Sequence, residues 1–124
     1  MALDGVFLRH IKKELCETLL NARVDKVFQP NRDELILAFR DLDPQAPTHV
    51  LIIPKEHIAS ANEITEENAA VVAHIFTVAK KIAAQEGLEN GYRIVNNCGE
   101  DGGQTVKHLH FHLLGGRSMK WPPG

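Results

Sequence analysis

The sequence predicts an α+β fold: an antiparallel sheet of about five strands with two helices packed on it. Three observations carry that expectation. Two segments repeat apolar residues at helical spacing, and five short runs are rich in β-branched and aromatic residues. Their order, helix, hairpin, strand, helix, strand, strand, also lacks the regular alternation of a parallel βαβ sheet. At 124 residues the chain suits one domain with one core, so residues 1–124 read as a single unit.

Leu8, Ile11, Leu15 and Leu19 recur at helical spacing behind Asp4, a suitable N-cap, and predict an amphipathic helix over 5–21. Val24 to Phe28 and Glu34 to Arg40 flank Pro30-Asn31-Arg32-Asp33, residues that favour a turn, so the pair reads as a hairpin. The link from Asp41 to Pro47 breaks the pattern. Thr48 to Ile53 is a short apolar strand closed by Pro54, which leaves His57 in a loop. A second helix opens at Thr65, presents Val71, Val72, Ile75, Phe76, Val78, Ala79 and Ile82 on one face, and stops at Gly87, with Lys80 and Lys81 toward its C-terminal end. His74 within it reads as structural. Gly91 to Asn97 is a strand, Cys98 to Gln104 a glycine-rich loop, and Thr105 to Leu114 a final strand.

Fourteen basic and sixteen acidic residues nearly balance, and no basic cluster stands out. Electrostatic capture of nucleic acid or membrane is therefore not expected, and the partner is small or a protein. Cys16 and Cys98 lack metal-type spacing, and no apolar run suggests a signal peptide or membrane span, so free thiols in a reducing cytoplasm are expected.

The chemistry concentrates in Lys107-His-Leu-His-Phe-His-Leu-Leu114. A period of two places His108, His110 and His112 on one face of a strand and sends Leu109, Phe111 and Leu113 to the core. Three imidazoles on one face suit nucleophilic or acid–base chemistry. Alternating histidines can also ligate zinc or copper, although no cysteine pair or His-Glu motif completes a familiar set. Just upstream, Gly99, Gly102 and Gly103 free the backbone to approach a ligand, and Asn97, Gln104 and Thr105 offer neutral donors. Together these describe a phosphate cradle beside an imidazole nucleophile.

The run from Gly102 to Arg117 resembles the signature of the histidine triad (HIT) superfamily, in particular its Hint branch. The likeness extends from about Leu37 to Gly124 through Ala38 to His49, Ile53-Pro-Lys-Glu-His57 and the closing Trp121-Pro-Pro-Gly124. It implies a HIT-like fold and hydrolysis of nucleoside 5′-phosphoramidates and aminoacyl-adenylates to AMP or GMP, without cofactor or metal. By the same likeness His110 attacks phosphorus to form a nucleotidyl-histidine, and His49 and His108 orient and tune it. His112 and Asn97 hold the α-phosphate, Gly103 and Thr105 add contacts, Asp41 binds the ribose, and Phe39 and Leu42 wall the base. The family is usually homodimeric, with the C-terminal segment reaching the partner's site, which gives Trp121 a role at the nucleotide.

The first 37 residues depart from that pattern. Residues 2–37 resemble instead the opening of NFACT-type proteins of ribosome quality control, giving an atypical helix and first hairpin strand ahead of a core at 38–124. An engineered chimera, a recombination or a divergent N-terminus would each produce such a junction near Leu37. The alternative to an active hydrolase is then a catalytically weak nucleotide-binding or scaffold protein.

Overall fold

The computed structural model describes residues 23–31, 34–41 and 43–124, with side chains at 36, 38, 40, 41 and 43–124. The helix expected over 5–21, Cys16, part of the first turn, Leu42 and the Phe39 side chain lie outside the described residues.

The described strands are β1 (Arg23–Asn31), β2 (Glu34–Arg40), β3 (Thr48–Pro54), β4 (Tyr92–Val95) and β5 (Phe111–Gly115). They form one antiparallel sheet in the order β1-β2-β3-β5-β4. One α-helix is described, α1 (Ala69–Gln85). It covers one face of the sheet, as an α+β plan requires. Pleating sends Ile36 and Ala38 of β2, Val50 and Ile52 of β3, and Phe111 and Leu113 of β5 to that face. They meet Val71, Ile75, Val78, Ala79, Ile82 and Ala83 of α1 in one buried cluster. Phe76, expected in the apolar face, is 48 % exposed and meets Phe111 edge to face with ring centroids 6.0 Å apart.

Several boundaries differ from those the sequence predicts, β1 running on to Asn31 in the expected turn among them, and three have a clear local reason. The helix starts at Ala69 and not Thr65, because Asn68 accepts from the Thr65 amide (2.7 Å) and donates to the Glu63 carbonyl (3.1 Å), closing a separate turn. Strand β4 stops at Val95, and the Asn96 side-chain amide donates to the His110 carbonyl (2.8 Å). The largest change is in β5, which begins at Phe111 and not Thr105. Beyond the Ile52–Phe111 pair its neighbour β3 runs out at Pro54, whose ring nitrogen has no proton to donate. His108 and His110 therefore lie in irregular backbone ahead of the strand.

The far end of α1 follows its expected stop. Gly87 (φ 71°) takes the left-handed conformation, the Leu88 amide reaches back to the Ala83 carbonyl (2.9 Å) and the Gly87 amide to that of Ala84 (3.3 Å). This is a Schellman closure with Leu88 buried behind it. Lys80 and Lys81 fall short of the last turn. The ion pair Arg40–Glu86 (2.9 Å) joins the end of β2 to the same corner.

Candidate active site

Leu109, Phe111 and Leu113 enter the core as the alternation predicts, which turns His108, His110 and His112 the other way. The Cα register pairs His49 with Leu114 and Leu51 with His112, so His49 and His112 are diagonal neighbours on the sheet face opposite α1. Their rings lie 5.2 Å apart, and the His110 and His112 rings are equally close at 5.2 Å. Three of the predicted catalytic histidines, His49, His110 and His112, thus stand ring beside ring, while the His108 ring meets His57 and His108 joins the group through its carbonyl. His108 and His110 are almost fully buried, at 1 % and 4 % exposure.

Hydrogen-bond partners fix the proton on each ring. His110 Nδ1 lies 2.7 Å from the carbonyl of His108, two residues earlier. A carbonyl only accepts, so Nδ1 carries a proton, and in the neutral ring Nε2 keeps its lone pair. His108 Nε2 must likewise donate to the Pro54 carbonyl at 3.0 Å. At His49 the polarity reverses: the Gln45 amide donates to Nδ1 at 3.1 Å, which leaves the proton on Nε2. That proton points to His112 Nδ1 at 2.9 Å, so neutral His112 offers Nε2–H as a donor. A bare nucleophilic nitrogen beside a neutral N–H donor is what attack on phosphorus and binding of its oxygens require.

The link 41–47, patternless in sequence, builds the socket for His49. The Asp41 amide donates to the His49 carbonyl (3.0 Å) and Asp41 Oδ1 accepts from the Asp43 amide (2.9 Å), which turns the chain so that the Gln45 amide meets the ring. Asp41 Oδ2 stands 3.5 Å from His49 Nε2. Burial lowers the His49 pKa against the pull of Asp41 and Asp43. Burial, reinforced by His110 and His49, depresses His112 to about 4 against Asp41.

These two rings have a consequence for pH. A base whose pKa falls on folding binds fewer protons folded than unfolded, so stability is lost as the unfolded state gains them. The melting temperature is expected to fall as pH drops from the ordinary 6.5 of His112 toward about 4. Thermal scans across that window check it, and His112→Asn should flatten the slope.

Asp41, His49 and His112 bring three ligand atoms within 4.8 Å of one another, a spacing that could hold a metal ion. The donor set does not suit one. A metal on His49 Nε2 would require the proton to move to Nδ1, where it would oppose the Gln45 N–H.

The glycine loop is braced from within. A Cβ at Gly102 would run into the Cys98 backbone, and Gly103 has φ 77°. Gln104, expected to face the nucleotide, instead spends its amide on the protein: Nε2 donates to the Ala59 and Val106 carbonyls (2.8 and 2.9 Å), and Oε1 accepts from the Gly99 amide (3.0 Å). Gly103 and Thr105 lie exposed beside it. Of the Asn96-Asn97 pair, Asn96 meets the triad segment, whereas Asn97 sits half-buried in the adjoining loop. The two side chains carry the same groups, so residue type alone could not choose between them. Trp121 is 83 % exposed, in a tail held by Arg93 donating to the Lys120 carbonyl (3.0 Å).

The profile of the HIT domain matches residues 21–119. The chain belongs to the HIT family. A HIT-like protein of Synechococcus elongatus is 51 % identical over 124 residues, covering all of both chains. The 14 kDa zinc-binding protein of Zea mays is 46 % identical over 121 residues, covering 96 % of this chain and 87 % of the maize protein. Among solved structures, a HIT family hydrolase from Legionella pneumophila superposes with a TM-score of 0.76 at 49 % identity, covering 89 % of this HIT chain and 97 % of its own. A histidine triad protein from Clostridium difficile gives 0.73 at 37 % identity, with 97 % and 96 % covered. Both curated alignments run past Leu37, the position of the apparent junction between two families.

Proposed function

We propose that this HIT protein hydrolyses nucleoside 5′-phosphoramidates and aminoacyl-adenylates to AMP or GMP through a nucleotide bound covalently to His110. The observation that carries this reading is the proton on His110 Nδ1, held by the His108 carbonyl at 2.7 Å. It leaves Nε2 free to attack phosphorus as the bond to the leaving group breaks. In a phosphoramidate this is the P–N bond, the amine departing with the electron pair and taking up a proton from solvent. In an aminoacyl-adenylate it is the P–O bond, the amino acid departing as its carboxylate. The intermediate then keeps N–H at Nδ1, so the phosphorylated ring is cationic and a good leaving group when water attacks. His112 Nε2–H supplies a neutral donor for the phosphate oxygens. Asn96, with its amide on the His110 carbonyl, steadies the nucleophile segment, and Asn97 and Thr105 remain candidates for phosphate contacts.

The Hint-branch substrate class, the purine, and the ribose and base contacts of Asp41, Phe39 and Leu42 rest on the likeness of the motifs. A homodimer is part of the same proposal. The exposed Trp121 supports it, since a tail reaching a partner's site would cover that ring. A cytoplasmic site of action accompanies it. The maize relative's name raises zinc, but the His49 tautomer argues against a metal at the triad. A related structure is named a histidine triad nucleotide-binding protein, from Candida albicans, which is in keeping with a nucleotide ligand. Alignment of the cyanobacterial relative along all 124 residues favours a family-type N-terminus over an NFACT graft, and with it activity over a spoiled scaffold.

Steady-state hydrolysis of adenosine 5′-phosphoramidate or tryptamine-linked AMP tests the reading. Turnover releasing AMP supports it. A folded, AMP-binding protein without turnover on either substrate refutes it. In the same assay His49→Ala should lose about 10- to 100-fold in kcat, because His49 orients the phosphate donor without reacting itself.

A further inference from the structure

The segment 106–110 holds the nucleophile yet has no place in the sheet. What fixes it is a clasp from three consecutive residues of the loop after β3. The Ala59 carbonyl accepts from Gln104 Nε2 (2.8 Å), the Ile58 carbonyl from the Leu109 amide (2.6 Å), and the His57 ring meets that of His108, Nδ1 to Nδ1, at 3.1 Å. The two rings stand edge to face with centroids 5.0 Å apart.

Two nitrogens at 3.1 Å need one proton between them, and the surroundings decide whose it is. His108 Nε2–H already donates to the Pro54 carbonyl, so in the neutral ring Nδ1 holds a lone pair. The proton between the rings therefore belongs to His57. His108 is gripped at both nitrogens, which sets its ring plane and the orientation of its backbone. Its carbonyl is the acceptor that holds the proton on His110 Nδ1. If that carbonyl swings away, nothing keeps the proton off Nε2, and the protonated nitrogen cannot attack.

We propose that His57 is a positioning residue: by donating Nδ1–H to His108 it fixes the carbonyl that keeps His110 in its reactive tautomer. This rests on His110 being the nucleophile. It predicts a defect in kcat with little change in KM, because no substrate contact is lost. It also predicts rescue by asparagine, whose side-chain amide can place a donor near the former Nδ1.

The test compares full-length wild type, His57→Phe and His57→Asn for kcat and KM on adenosine 5′-phosphoramidate, AMP affinity, melting temperature, and imidazole 15N–1H correlation spectra. His57→Phe should lose about 10- to 100-fold in kcat while KM and AMP affinity stay near wild type, and His57→Asn should recover most of the loss. Wild-type kcat in His57→Phe, or an equal loss in both variants, would overturn the role. The spectra stand apart from activity. In wild type, His110 should carry its proton on Nδ1 alone, with His57→Phe giving a mixture of tautomers and His57→Asn restoring one. Should wild type fail to hydrolyse the substrate, the functional reading falls, while an unchanged His110 tautomer in His57→Phe would independently overturn the positioning role. If the phenylalanine variant does not fold, His57→Gln, with its amide displaced from the δ position, takes its place with the same expected outcomes.

Discussion

His110→Ala is expected to reduce hydrolysis of adenosine 5′-phosphoramidate by at least about a thousandfold, since removing a covalent nucleophile leaves only binding and electrostatic stabilisation to accelerate the reaction. The variant should still bind AMP. Its fold should survive at a modest cost. The ring is buried to 4 % exposure, not open to the ligand face alone as the strand alternation implies, and its deletion also removes the bond to the His108 carbonyl. A loss of about 1–3 kcal/mol is in keeping with one small void and one hydrogen bond. His110→Asn is the sharper control: it can keep a donor toward that carbonyl while removing Nε2. Both variants should be inactive, with the asparagine variant the more stable of the two by thermal melting.

Gln104→Ala should act on stability more than on affinity. Three hydrogen bonds would be lost at once, leaving the Ala59 and Val106 carbonyls and the Gly99 amide to find other partners. At about 0.5–1.5 kcal/mol each, the cost is about 2–4 kcal/mol. Because the side chain also ties the glycine loop to the clasp over the nucleophile, kcat should fall with stability. The outcome separates two roles. A brace lowers the melting temperature by many degrees and leaves AMP affinity near wild type at temperatures where the variant is folded. A direct phosphate ligand would show weakened AMP binding with an unchanged melting temperature.

Much of the site was legible because its signals are local. The alternation from His108 to Leu113 assigned Leu109, Phe111 and Leu113 to the core, and that survives even where the backbone leaves the strand. Gly87 marked the end of α1 by residue type alone. What escaped the sequence depends on long-range register. No local pattern says that the ladder between β3 and β5 ends at Ile52 and Phe111, that the Gln45 amide points at His49, or that Asn96 reaches the His110 carbonyl. His57 escaped for the same reason, being 51 residues from the ring it meets. Gln104 shows how company shapes a reading: beside three glycines and a triad a polar amide suggests a ligand, and only the carbonyls around it show that it is already engaged with the protein.

The central claim is that the bare Nε2 of His110 attacks phosphorus. Rapid acid or base quench of a single turnover, followed by mass analysis of the histidine-containing peptides, tests it most directly. The account predicts a nucleotidyl adduct on His110 that forms and decays at rates able to support turnover, and that is absent from His110→Asn. Hydrolysis proceeding with no adduct, or with an adduct on His49, His108 or His112, would contradict it.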